Sequence, residues 1–157
     1  MYAFRNVQPG DEAAAQLVVA TVLREYGMLL DTTDTDRDLV DIRASYTARG
    51  GAFRVLVDPA DHIIGCGGLY PLGGRRAEIR KMYLLPIARG RGLGRSLLQN
   101  LVDTARANGV RRLTLETKSV FQEAIALYQS FGFTEIDHQH KTPRCDRAFA
   151  LNFAQGD

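Results

Sequence analysis

EIRKMYLLPIARGRGLGRSLL, residues 78–98, is the stretch whose reading decides the fold. Glu78 to Leu85 alternates apolar and polar side chains as a strand does. Pro86 ends the ladder, because it has no N–H to donate. Arg89-Gly90-Arg91-Gly92-Leu93-Gly94 then turns the chain. Leu93, Leu97, Leu98, Leu101, Val102 and Ala105 follow at helical spacing and make one apolar stripe. The order is strand, glycine turn, helix.

Such a turn suits an anion. The first N–H groups of a helix lack partners within it, and its dipole makes that end attractive to negative charge. Gly90, Gly92 and Gly94 let a phosphate approach the backbone without meeting a Cβ. Arg89, Arg91 and Arg95 surround the same turn with positive charge. The expected ligand carries phosphate, above all a pyrophosphate. Two common phosphate loops are excluded: no Lys-Ser or Lys-Thr follows the glycines, and Gly90-x-Gly92-x-Gly94 is not GxGxxG. The missing lysine and hydroxyl also count against a nucleotide-binding regulator.

Working outward, Tyr2–Val7 reads as a first strand, and Asp11 is placed to cap a helix that runs to Tyr26 and stops at Gly27. Residues 29–38 (LLDTTDTDRD) read as an acidic loop before a short helix over Asp38–Ala48. Asp31, Asp34, Asp36 and Asp38 are either a lure for a cationic amine or solvated, capping loop residues. Phe53–Val57, His62–Leu69 and the Glu78 strand read as an antiparallel meander. Gly65, Gly67 and Gly68 in its middle strand predict close backbone approach or a bulge. Asn108-Gly109 closes the long helix, and Arg112–Thr117 is the next strand, with Leu113 and Leu115 on one face. Right-handed crossover makes it parallel to the Glu78 strand. A helix over Gln122–Phe131 and strands over Phe133–Asp137 and Arg147–Phe153 complete the chain. A ligand belongs at the carboxyl ends of the parallel pair.

The whole composition fits one domain over 1–157 with a formal net charge of +2, too near neutral for a nucleic-acid binder. Cys66 and Cys145 are isolated thiols, suited to a reducing cytoplasm and to burial as small apolar residues. No signal-like start or membrane-length apolar run is present, so no membrane partner is expected. His138 and His140 would share a strand face, but ligands for a metal are too few, and none is expected.

Arg89-Gly90-Arg91-Gly92-Leu93-Gly94 fits R/Q-x-x-G-x-G/A and resembles the acetyl-CoA loop of the GNAT N-acetyltransferase superfamily. Ala126-Leu127-Tyr128-Gln129-Ser130-Phe131-Gly132-Phe133 resembles that superfamily's later LY-x-x-x-GF motif. The close resemblance spans Glu78 to Phe133. It implies a GNAT-like α/β fold: a mixed, mostly antiparallel twisted sheet of about six or seven strands, flanked by helices, with one splayed parallel pair. It also implies direct acetyl transfer from acetyl-CoA, as co-substrate, to a primary amine of a small molecule or protein, with a homodimer common in the family. By the resemblance, Met82 polarises the thioester carbonyl through its N–H, four residues past Glu78, and Met82, Tyr83 and Leu84 carry the pantetheine contacts. The span Arg89, Gly90, Arg91, Gly92, Leu93, Gly94 and Arg95 is the diphosphate cradle.

Two carboxylates compete as base. Glu78 lies eleven residues before Arg89, as in histone-type members, and Glu116 lies twelve before Tyr128, like the glutamate of ribosomal-protein acetyltransferases. Each is otherwise a surface or salt-bridged strand residue. Tyr128 is the acid candidate, because a phenol at hydrogen-bond distance can protonate a leaving thiolate. One departure stands out: Phe121 occupies the position, seven before Tyr128, where many members carry Asn. Its amide contact is absent or supplied elsewhere, for instance by Gln122. That departure keeps open a non-catalytic acyl-CoA sensor or partner-binding module on the same fold.

Overall fold

The computed structural model describes residues 1–137 and 144–154. His138 and His140 therefore lie outside the described residues. Seven strands form one sheet in the order β1-β2-β3-β4-β5-β7-β6. They are β1 (Ala3–Asn6), β2 (Ala52–Val57), β3 (Ile63–Gly73), β4 (Arg76–Leu84), β5 (Arg112–Thr117), β6 (Thr134–Ile136) and β7 (Arg147–Asn152). Every neighbouring pair is antiparallel except β4 and β5. The βαβ crossover expected from the sequence is thus present.

Helices cover both faces. On one, α3 (Leu93–Ala107) and α4 (Gln122–Ser130) bury Leu97, Leu98, Leu101, Ile125 and Tyr128 against Ile79, Leu113, Leu115 and Phe149. On the other, α1 (Glu12–Glu25) and the short α2 (Ile42–Ser45) bury Val18, Val19, Leu23 and Ile42 against Phe53, Val55 and Cys66. The glycines of β3 let both layers come close. A Cβ on Gly67 would stand 3.1 Å from Leu101, and one on Gly68 would stand 2.5 Å from the Tyr46 ring.

Two local expectations change. Asp11 does not cap α1: its carboxylate accepts the Gln8 N–H at 2.7 Å and is paired with Arg5 at 2.7 Å. Burial works to raise the Asp11 pKa, but these two partners outweigh it and hold the carboxyl below its usual value. The helix expected over Asp38–Ala48 is also broken in three. A 3-10 turn at Arg37–Leu39 precedes α2, and another at Thr47–Arg49 follows it. Asp41 is extended and its side chain accepts the Ala44 N–H, so it starts a new helix instead of continuing the last.

Candidate active site

The parallel pairing of β4 with β5 runs only from Arg76↔Arg112 to Ile79↔Leu115. β4 continues to Leu84, so residues past Ile79 have no β5 neighbour, and a cleft opens between the strands. Met82, Tyr83 and Leu84 border it.

A bulge sets how they do so. Tyr83 pairs with Cys66 and Arg80 with Gly68, so Lys81 and Met82 together oppose Gly67. Lys81 sits at φ 56, a conformation a non-glycine residue adopts at a cost. The extra residue shifts the alternation by one. Glu78, Arg80 and Tyr83 then face the α1 side, while Met82 and Leu84 pack with the α3 core. The glycines of β3 had pointed to a bulge; the extra residue lies on the partner strand, opposite Gly67.

Buried charge holds Lys81 in place. Its ammonium lies 3.0 Å from Asp38, 3.5 Å from Asp36 and 3.2 Å from the Thr35 carbonyl. Asp36 is fully buried, pairs with Arg144 at 2.6 Å and accepts the Asp31 N–H at 2.8 Å. Asp38 also accepts the Tyr46 hydroxyl. Asp36 and Asp38 are therefore counter-ions of the fold rather than a lure for a cationic amine or solvated caps. The two carboxylates balance the two cations. Sequence spacing could not show this, because Asp36 and Arg144 are 108 residues apart.

At the cleft's end, Gly92 takes the N-cap of α3 at φ 76, with no side chain bonded to the helix start. A Cβ on Gly90 or Gly92 would meet nothing within 4 Å, so the approach is open. Ser96 N–H returns to the Gly92 carbonyl, and the preceding amides are the ones a helix leaves unpaired. The three arginines differ. Arg89 grips both carboxylate oxygens of Glu25, at 2.8 and 2.9 Å, and donates to the Leu84 carbonyl at 3.1 Å. Hydrogen bonding to Arg89 lowers the Glu25 pKa. Arg91 lies over the Tyr2 ring at 5.2 Å, and Arg95 donates to Ser130 at 3.1 Å; both are exposed.

The chemical candidates come from three elements. Glu78, on β4, is ion-paired with Arg80. Glu116, on β5, is exposed. Tyr128, on α4, is buried, and among the described residues its hydroxyl has no hydrogen-bond partner. Burial, with a contribution from Cys145, pushes its pKa up to about 12, so the phenol is a proton donor throughout the neutral range. Cys145 connects the three. Burial first, then the negative charges of Glu116 and Glu78, push its thiol up to about 11 against the opposing pull of Arg144 and Lys81. Cys66 is buried as expected, whereas Cys145 is only half-buried and lies within electrostatic reach of Glu78, Glu116 and Tyr128. Spacing gave no hint of that.

Phe121 fills the space between α1 and β4. Its ring stands 4.6 Å from Tyr26 and 6.4 Å from Tyr83, both edge-on. Gln122 is exposed beside it. Two hollows lie away from the cleft, one of about 550 Å³ beside α2 and one of about 150 Å³ beneath the β3–β4 turn. Among the described residues no cluster of metal-ligating side chains is found, and no helix is long and apolar enough to cross a membrane.

A parallel pair that parts beside an uncapped, glycine-lined helix start is an arrangement open to a phosphate-bearing ligand. The chain matches the acetyltransferase (GNAT) family over residues 20–133, and it belongs to that family. It is 38% identical over 139 residues to the uncharacterized N-acetyltransferase YjgM of Escherichia coli (strain K12), covering 85% of this chain and 83% of that protein. The uncharacterized N-acetyltransferase C1271.07c of Schizosaccharomyces pombe is 28% identical over 86% of this chain and 83% of its own length. Among solved structures, a GNAT-family acetyltransferase from Staphylococcus aureus Mu50 superposes with a TM-score of 0.90 at 21% identity, covering 97% of this chain and 99% of that one. yncA from Salmonella typhimurium, solved with acetyl-CoA, gives 0.79 at 22% identity, over 100% and 96%.

Proposed function

We propose that this chain is an N-acyltransferase that moves an acetyl group from acetyl-CoA directly to a primary amine of a small molecule or protein. The observation that carries it is the open, uncapped start of α3 beside the point where β4 loses β5. The residues present fit that co-substrate. Backbone amides from Arg89 to Arg95, with the guanidiniums of Arg91 and Arg95, hold the diphosphate. The unpaired edge at Met82, Tyr83 and Leu84 holds the pantetheine arm, and the Met82 N–H polarises the thioester carbonyl. Arg89 acts through its ties to Glu25 and Leu84, which fix the loop against α1 and β4.

Transfer forms an amide and breaks the thioester. Glu78 or Glu116, through water, takes the ammonium proton whose loss makes the amine nucleophilic, and Tyr128 gives a proton to the departing thiolate sulfur. A metal plays no part in this scheme, nor does nucleic acid or a membrane. A reducing cytoplasm suits the two free cysteines. The alternative, a non-catalytic acyl-CoA sensor or partner-binding module, rests on Phe121 in place of an asparagine; its ring packs against Tyr26 and Tyr83, and turnover decides between the two readings. Calorimetric titration with acetyl-CoA, followed by thiol release with an amine panel, tests the proposal. No binding at millimolar concentration would refute the cradle, and binding without turnover on any amine would refute the transfer.

A further inference from the structure

Beside the cleft, on the α1 face, two guanidiniums share one aromatic ring. The Arg80 guanidinium lies 3.7 Å from the centre of the Tyr70 ring, and the Arg49 guanidinium lies 4.4 Å from it. Tyr70 stands directly opposite Glu78 in the β3–β4 register, and Arg80 is paired with Glu78. The Tyr70 ring is fixed in turn, edge-on to Tyr46 at 5.6 Å, and Tyr46 is itself fully buried. The Arg49 amide bonds the Tyr46 carbonyl at 3.2 Å, which sets where its side chain begins. Arg49 is exposed and has no acidic partner among the described residues. One carboxylate thus serves two guanidiniums, and the cluster carries an uncompensated positive charge.

Two carboxylates of the acidic loop are already engaged. Asp36 and Asp38 are spent on Lys81 and Arg144. A polycationic acceptor would meet Arg49 and Arg80 without help from these two carboxylates. An anion would meet two donors whose planar forks suit a carboxylate or phosphonate. Arg80 lies two residues before Met82, across the bulge at Lys81, so the chain separates them by at most roughly 7 Å and the subsite and the thioester end are within one compact molecule's length.

We propose that Arg49 and Arg80, stacked on Tyr70, form an anion subsite, and that the acceptor is a compact amine that also carries a carboxylate or like anion. This rests on the acetyl-transfer reading for its product but not for its binding. The guanidiniums hold the acid group, and the amine is left pointing along β4 toward Met82.

Equilibrium binding separates the two ideas. The probes are the L-amino acids and β-alanine, each beside its carboxamide, with spermidine as the polycation, titrated in the presence of coenzyme A. The expected result is at least one acid bound about tenfold or more tightly than its carboxamide, the loss that a charge-assisted contact predicts. In Arg49→Gln the preference should shrink to about threefold or less, with the melting temperature and acetyl-CoA affinity kept. Arg49→Lys should restore part of it. Absence of binding by every acid, equal binding of acid and carboxamide, tightest binding of spermidine, or a preference that survives Arg49→Gln would each overturn the proposal. Acids that bind with this preference while no amine of the panel releases thiol from acetyl-CoA overturn acetyl transfer and leave the subsite standing.

Discussion

Asp36→Ala tests whether buried charge holds the acceptor side of the cleft together. The carboxylate is fully buried, and the side chains it neutralises are nearly so, with Lys81 10% and Arg144 15% exposed. Removing one partner of a buried pair typically costs about 3–5 kcal/mol, because the remaining charge is left without compensation. Here Lys81 keeps Asp38 at 3.0 Å and Arg144 keeps the Leu29 carbonyl at 2.7 Å, so the lower end applies. The expected loss is about 3 kcal/mol, a fall in Tm of roughly 6–12 °C at this chain length. Asp36→Asn keeps an acceptor for the Asp31 N–H and should lose about 1.5–2 kcal/mol.

Urea unfolding with a shared slope measures both. The double variant Asp36→Ala/Arg144→Met supplies the control, since removing both charges removes the stranded one; its loss should be smaller than the sum of the single losses. A loss under about 1 kcal/mol for Asp36→Ala, or strict additivity in the double variant, would refute the claim that this cluster is a coupled counter-ion network.

Gly92→Ala should cost only about 1–2 kcal/mol of stability, from the left-handed conformation at φ 76, but should lower acetyl-CoA affinity at least tenfold by standing a methyl in the open approach, as calorimetry would read. Tyr128→Phe should cut kcat about a hundredfold while the acetyl-CoA dissociation constant moves less than threefold. Glu78→Gln and Glu116→Gln should part company in pH–rate profiles: the one that acts as base is the one whose loss abolishes the acidic limb. Stability should fall in acid, because the folded pKa values of Asp11 and Glu25 lie below their ordinary 3.8 and 4.5; what their partners contribute is complete above those values and is lost as pH drops through the folded ones. Glu25→Gln should flatten that decline in acid-dependent urea midpoints. A slope equal to that of the unaltered protein would exclude the Glu25–Arg89 pair as a contributor.

Much of the fold was legible because each part announces itself locally. The apolar stripe of α3 repeats at helical spacing, the glycines and Pro86 punctuate its start, and right-handed crossover alone makes β5 parallel to β4. The α2 region was misread for the opposite reason. Its helical composition is interrupted by Asp41, whose side chain competes for a backbone amide, and that competition depends on a backbone angle the sequence does not display.

Of the candidate site, the open glycine-lined helix start was legible from local sequence and the pairings of distant side chains were not. The glycine turn at the start of α3 is readable from adjacent residues, whereas Asp36, Lys81 and Arg144 look like three unrelated surface charges until the sheet joins them. The bulge shows why that junction matters. Without an extra residue at Lys81, alternation from Ile79 would send Met82 and Leu84 toward α1 and Tyr83 into the α3 core. Lys81 takes a glycine-like angle, and nothing in its side chain favours that angle. Its ammonium is instead held by the buried Asp36 and the half-buried Asp38, so the acidic loop supplies the restraint that keeps β4 in the register its cleft-facing residues require. The aspartates that resemble a substrate lure thus act on the cleft through the backbone, which leaves recognition of the acceptor to Arg49, Arg80 and Tyr70 on the neighbouring strands and turn.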